Sequence, residues 1–243
     1  VFKDAQTKAL AKAAIELRYQ LLPYNYSLAY ENATTGIPLL RPIFLEFPDA
    51  TWAFNEAETY MWGSSFLVHA ITDSMKATKE KVYQTKLPVQ TSWFDFYTGK
   101  LIATKKKNSS STTFQTVSTP KTLQNIPVFV RSGSFIPMSP VVQSTESYRD
   151  TAVVLHFYID PNAEEATSFI WYEDDGYTFD AEAQGAAKKL SCSASNQAST
   201  CTLLFKPEIG AKLWEKYFHF KLLIHTPEAP KNIYINGKKV AFK

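Results

Sequence analysis

Between Leu10 and Tyr30 the apolar residues Leu10, Ala14, Leu17, Leu21, Tyr24 and Leu28 recur every three or four positions, the spacing of one face of an α-helix. Thr7 is placed to cap its start, and Asn32 to Gly36 is a run of turn formers that would end it, with Gly36 free to take the positive φ common at a helix stop. Pro23 falls inside this pattern; it lacks an N–H and its ring presses on the carbonyl four residues back, which predicts a kink near Tyr19. Tyr24, Tyr26 and Tyr30 follow at once, a broad aromatic surface whose hydroxyls need partners.

Nothing downstream repeats that period. Pro38 to Phe47 reads as a strand interrupted at Pro42, and Tyr60 to Ile71 as two short strands hinged at Gly63. Val82 to Leu87 and Thr91 to Tyr97 are further strands, the second closed by a turn at Thr98 and Gly99. Ile126 to Met138 is two apolar strands around Arg131 to Ser134. The polar stretch Ser139 to Thr151 reads as a domain boundary. Beyond it lie strands at Val153 to Ile159, Ser168 to Tyr172 and Tyr217 to His225. The last should put Phe218, Phe220, Leu222 and Ile224 on one face and His219, Lys221 and His225 on a wetter one. Asn236-Gly237, within Ile233 to Phe242, is the strongest hairpin signal in the chain. The pattern predicts a mainly β protein: one helix over residues 1–36, then two antiparallel β-sandwiches over 37–139 and 140–243.

The chain has 243 residues, 45% hydrophobic, which is ample for one large or two ordinary cores. Its 14% aromatic content fits β cores and sugar-binding surfaces alike. A net charge of +3 with acids and bases nearly balanced argues against nucleic-acid or membrane-surface binding driven by bulk charge. The basic run Lys105 to Lys107 abuts the polar tract Asn108 to Thr113, expected to be a mobile loop tip. No segment approaches the length of apolar residues needed for a membrane span. Val1 opens the chain without Met or a signal-peptide pattern, as in a mature or trimmed chain.

Cys192 and Cys201 flank Asn196-Gln197. A two-residue loop there would set Cys192 opposite Cys201 in a non-hydrogen-bonded pair, where Cα atoms approach to about 4.5–5.5 Å and a disulfide fits. Such a short loop gains only about 2.5 kcal/mol, and the bond would imply an oxidising compartment. Two reduced strand cysteines are the alternative.

Candidate chemistry is sparse. His69, His156, His219 and His225 are scattered without metal-ligand spacing, and nucleophile, base, phosphate-loop and cofactor motifs are all missing. Glu173, Asp174 and Asp175 are the densest carboxylates. Like charges so close could raise one pKa for acid catalysis or gather around Ca²⁺, or they could simply be the solvated tip of a type I′ hairpin at Asp175-Gly176.

Taken in order, RYQLLPYNYSLAY, GIPLLRPIFLEFP, WFDFYTG, IPVFVRSGSFIPM and WYEDDG resemble the C-terminal third of family 31 glycoside hydrolases, to about Asp180; the last sixty or so residues share only β character. The resemblance implies that Arg18, Tyr19, Leu21, Leu22, Pro23 and Tyr24 lie on the final helix of a (β/α)8 barrel, followed by a proximal and a distal β-sandwich. It implies too that both catalytic carboxylates belong to earlier barrel strands, so that no catalytic, substrate-binding or metal-binding residue falls here. One departure is Leu67-Val68-His69-Ala70-Ile71, where the family usually has Leu-Val-Ala-Pro-Val.

The expectation is therefore a non-catalytic region of a retaining α-glycosidase acting on α-glucosides or α-xylosides, inert alone, without cofactor, whose partner is an upstream barrel and whose location is secreted or periplasmic. Without that barrel, the stripe Leu10, Leu17, Leu21 and Tyr24 would be left to self-associate. The competing expectation is a free-standing carbohydrate-binding module with Trp52, Trp62 or Trp93 as a sugar platform.

Overall fold

The computed structural model describes residues 4–72, 81–104, 113–124, 126–148, 152–159, 166–197, 200–210 and 220–241. The basic run and most of the polar tract at 105–112, His219 and Phe218 lie outside them. The chain opens with α1 (Ala5–Gln20) and α2 (Leu22–Thr35), then β1 (Leu40–Pro42), α3 (Ile43–Glu46), β2 (Thr59–Trp62) and β3 (Phe66–His69). Next come β4 (Val82–Pro88), β5 (Trp93–Asp95), β6 (Leu101–Ala103), β7 (Phe114–Pro120), β8 (Val128–Arg131) and β9 (Phe135–Met138). The remainder is β10 (Val154–Tyr158), β11 (Thr167–Glu173), β12 (Lys188–Gln197), β13 (Thr200–Ile209), β14 (Lys221–His225), β15 (Ile233–Ile235) and β16 (Lys238–Val240). The protein is mainly β, as its pattern predicts.

A six-stranded sheet, β1-β2-β3-β8-β5-β6, is covered on one face by the pair β4-β7; a second group stacks the sheet β14-β10-β9 on the sheet β11-β12-β13. The core between the first two holds Met61, Leu67, Leu87, Trp93 and Phe129, and the core between the second two holds Phe135, Leu155, Phe157, Trp171 and Leu190. The neighbours Phe66, Val68, Phe94 and Val130 turn to the opposite face of the six-stranded sheet, where they meet Leu21 at the helix break, Tyr24 and Leu28 of α2, and Ile136 and Tyr158 from the next sheet. Successive strand residues point to opposite faces, so strands buried on both sides read as unbroken apolar runs. This explains why Phe66–His69 and Val128–Val130 carry no polar alternation.

Several expectations are corrected. The opening helix breaks at Leu21 (φ −85°, ψ 8°) instead of bending at Tyr19, and Pro23 lies in the first turn of α2, where its missing N–H costs nothing. Asp4 rather than Thr7 is the cap, its carboxylate accepting from the Thr7 N–H at 2.7 Å. The strand at Leu40 stops at Pro42 and becomes the single turn α3, because proline cannot extend the ladder. The change of sheet falls between β8 and β9, ahead of Ser139, since β9 pairs with β10. The second group also contains one parallel pair, β10 with β14. Asn236 and Gly237 do form the expected hairpin tip, at φ 49° and 76°.

The predicted disulfide Cys192–Cys201 is absent: both thiols are free. The ladder closes at Gln197 opposite Thr200, which sets Cys192 against Phe205 and Cys201 against Asn196. The cysteines share a face but stand two pairing steps apart, about 13 Å along the strand and beyond bridging distance. Burial decides this register, because it turns Leu190, Cys192 and Ala194 together with Leu203 and Phe205 into one core. Burial also pushes the Cys192 thiol up to about 12.

Candidate functional site

The three consecutive carboxylates of 173–175 end β11 and part company. Glu173 turns inward, where it accepts from the Tyr148 hydroxyl at 2.6 Å and the Trp171 ring N–H at 2.9 Å. Its burial raises the carboxyl above the usual range, against the lowering effect of those two hydrogen bonds. Asp174 turns to α2, accepting from the Tyr26 hydroxyl at 2.6 Å, the Tyr172 hydroxyl at 3.0 Å and the Gly176 N–H at 2.8 Å. Asp175 is exposed and folds its own loop, taking the N–H groups of Tyr177 and Thr178 at 3.0 and 2.9 Å and the Thr178 hydroxyl at 2.6 Å. These bonds hold its carboxyl below the ordinary value.

The expected hairpin at Asp175-Gly176 is not formed, since β11 pairs with β12 across the longer loop 174–187. Nor do the acids converge on a common point. No group of three or more metal-ligating side chains occurs among the described residues. The arrangement is a strut: one carboxylate fixes the strand end in the core, the next fixes it to α2, and the third shapes the loop beyond.

The other side of the strut is α2. Ser27, buried, donates to the Pro23 carbonyl at 2.8 Å and accepts the Tyr172 N–H at 3.1 Å. Tyr30 stacks on Tyr172 with centroids 4.1 Å apart, and Lys189 donates to its hydroxyl at 3.2 Å. Tyr24 is fully buried, donates to the Trp62 carbonyl at 3.0 Å, and meets Phe66 edge-on at 5.2 Å. Gly63 makes room for it: a Cβ there would come within 2.4 Å of the Tyr24 hydroxyl, on a backbone already at φ 60°. Sequence reasoning found the three tyrosines but not Ser27 or the Tyr26–Asp174 bond, which spans 148 positions.

α1 differs throughout. None of its sixteen residues is buried, and Ile15 is 54% exposed. Leu17 packs on the core below. Its carboxyl end is held by Ser139, whose N–H donates to the Gln20 carbonyl at 2.8 Å and whose hydroxyl donates to that of Tyr19 at 3.0 Å.

The tryptophans expected as a sugar platform are dispersed. Trp93 is fully buried with its N–H on the Pro88 carbonyl at 2.9 Å, Trp62 bonds Asn25 at 2.9 Å, and Trp52 lies against Phe114. Two of the scattered histidines do meet: His156 Nδ1 and His225 Nε2 are 3.0 Å apart, and His225 stacks on Tyr158 at 4.1 Å. His225 shares its strand face with the exposed Lys221 and Leu223, the wetter face as expected, but is itself half-buried, and burial followed by its neighbour pushes His156 down to about 4.

Residues 36–136 match the model of the glycosyl hydrolase family 31 C-terminal domain. The chain is 35% identical over 171 residues to neutral alpha-glucosidase C of Mus musculus, covering 70% of this chain and 18% of that protein. It is 34% identical over 169 residues to an alpha-xylosidase of Saccharolobus solfataricus, covering 69% and 21%. Its fold matches a GH31 dextranase of Flavobacterium johnsoniae with a TM-score of 0.77 and 25% identity, over 98% of this chain and 28% of that one. The chain thus spans about a fifth of the length of the curated relatives it matches.

Proposed function

The chain belongs to glycosyl hydrolase family 31, and we propose that it is the non-catalytic C-terminal region of a retaining α-glycosidase acting on α-glucosides or α-xylosides. In this reading α2 joins the two sheet groups, and α1 carries them against a catalytic (β/α)8 barrel in the same polypeptide. The observation that supports it is the contrast within one helical pattern: α2 is wedged into the core, while α1 holds sixteen ordered residues with none buried. A helix gains most of its stability from packing an apolar face, so a long helix whose apolar residues are at most half-buried is built for a neighbour. The divergence of Glu173, Asp174 and Asp175 supports the non-catalytic part, because retaining hydrolysis needs two carboxyl groups about 5–5.5 Å apart across one bond.

The chain, assayed with aryl α-glucoside and aryl α-xyloside, is expected to show no turnover above buffer. Turnover that disappears in Glu173→Gln or Asp174→Asn would overturn the reading and make the strut a site.

Deprived of the barrel, α1 is left to pair with a second copy through residues before Pro23. Sedimentation velocity should show concentration-dependent association, abolished by Leu10→Glu/Ile15→Glu. A monomer throughout would remove self-association from the reading.

A further inference from the structure

β10 and β14 run parallel, with His156 opposite Leu223 and Tyr158 opposite His225. Leu155, Phe157 and Leu222 point into the core of the second sheet group. By alternation His156, Tyr158 and His225 point the other way, toward the six-stranded sheet, where Tyr158 meets Phe94 edge-on at 5.4 Å. His156 Nδ1 and His225 Nε2 are 3.0 Å apart. Their ring centroids are 5.2 Å apart and their planes within 19°, nearly the widest separation such a contact allows, so the two nitrogens face each other head-on. A metal ion between them would need about 2.0–2.1 Å to each nitrogen, more than a gap of 3.0 Å offers. One proton fits it.

The His225 ring is fixed on its other sides as well. It stacks on Tyr158 with centroids 4.1 Å apart and planes within 5°. Its Nδ1 lies against the turn that follows β5, so close that a Cβ on Gly99 would come within 2.3 Å of it. Any side chain there would displace the ring, and the backbone at φ 66° favours glycine besides. The turn belongs to the first sheet group and His225 to the second, so the two groups touch at this contact.

We propose that the His156–His225 pair is a proton-operated latch: neutral, it holds the Gly99 turn of the first sheet group against β14 of the second, and acid releases it. A neutral pair has one N–H between the two facing nitrogens. Full protonation puts an N–H on each and a positive charge on both rings, in a contact that Gly99 and Tyr158 keep from widening. Among the described residues, the other charged or titratable groups on the strands and turn that meet there are Lys221 on β14, Tyr158 on β10, and Asp95, Tyr97 and Lys100 around the turn; β9 carries none. Asp95, the one carboxylate among them, accepts the Thr98 N–H and the Thr98 hydroxyl, both at 2.7 Å, so its charge serves the turn and not an imidazolium. Burial lowers both imidazoles, and the charge of His225 lowers His156 further, to about 4. Released rings protonate near 6.5, so the latch weakens as pH falls from 6.5 toward about 4 and loses nothing more below that.

Hydrogen exchange, corrected for the intrinsic rate at each pH, reads the latch at the amides of Gly99 and Ile159, which donate to the Asp95 and His225 carbonyls at 2.9 Å each. Between neutral pH and about pH 5 their protection should fall at least ten-fold, as linkage to the shift of His156 alone requires. The amides of β12, the central strand of its sheet, should keep theirs. In His156→Gln, whose side-chain oxygen accepts from a protonated His225, most of the fall should disappear. A parent chain that keeps its protection, an equal fall in the variant, or a fall shared by β12 would each overturn the latch. NMR titration of the parent imidazoles decides independently of the variant. Two coupled steps below the ordinary histidine value support the latch, and two rings titrating independently at that value overturn it.

Discussion

α1 and α2 come from one continuous helical pattern and have opposite fates. α2 buries Pro23, Tyr24, Ser27 and Leu28 between two sheet groups, while α1, longer by two residues, buries none. The stripe Leu10, Leu17, Leu21, Tyr24 is not one face in the folded chain: its last two members are core, Leu17 touches that core, and Leu10 is only half-buried. The break at Leu21 is where ownership changes. Below it the helix serves this chain's own packing; above it, we infer, it serves another domain. Amphipathicity tells that a helix has a buried face, but not which part of the polypeptide buries it.

Truncation should separate the two helices most sharply. Tyr24→Ala removes a ring packed against Phe66 and Phe169 together with the hydrogen bond to the Trp62 carbonyl. It should cost about 4 kcal/mol, in the range for large aromatic truncations in cores. Ile15→Ala, on an exposed face of α1, should stay within about 0.5 kcal/mol. Urea unfolding of the two variants beside the parent chain measures both. Equal losses would mean that α1 packs on this chain after all and would break the comparison.

How much of this was readable in the sequence follows from the range of the forces involved. Local signals held: the Gly36 stop, with φ 79°, and the Asn236-Gly237 tip depend on a few neighbouring residues. The ordered motifs of family 31 type placed the chain, and the comparisons agree. Some local signals missed by a few positions, the cap at Asp4 instead of Thr7 and the break at Leu21 instead of Tyr19, but the larger failures were decided at a distance. The register of β12 on β13 is set by which residues enter the core, and a turn displaced by two positions separates Cys192 from Cys201. The acidic run looked like one site because its members are adjacent, yet their partners Tyr148, Tyr26 and Thr178 are dispersed along the chain. His156 and His225 carry no shared motif, and only the parallel pairing of β10 with β14 brings their rings together.

The smallest effect concerns acid, and it should act on the two helices in opposite directions. Glu173, at the strut that meets α2, has a carboxyl raised by burial. A raised pKa in the folded state means that the protonated form is the better tolerated one: its stabilising contribution is complete below the unfolded value and is lost as pH rises through the folded one. Gln keeps the oxygen that accepts from Tyr148 and Trp171 but carries no charge, so Glu173→Gln should gain stability relative to the parent as pH rises above the ordinary glutamate value of 4.5. Asp4, the cap of α1, is lowered by its hydrogen bonds to Thr7. Its contribution is present above the unfolded value of 3.8 and disappears as pH falls through the folded one, so the Thr7 amide should lose hydrogen-exchange protection on acidification while the α2 amides keep theirs. Because the first turns of α1 are exposed and its packing begins only toward Leu17, opening at Asp4 should spread along the helix and stop before Leu21. Protection lost at Thr7 and at Tyr24 together would mean that the two helices open as one unit, and the division at Leu21 would have no energetic meaning.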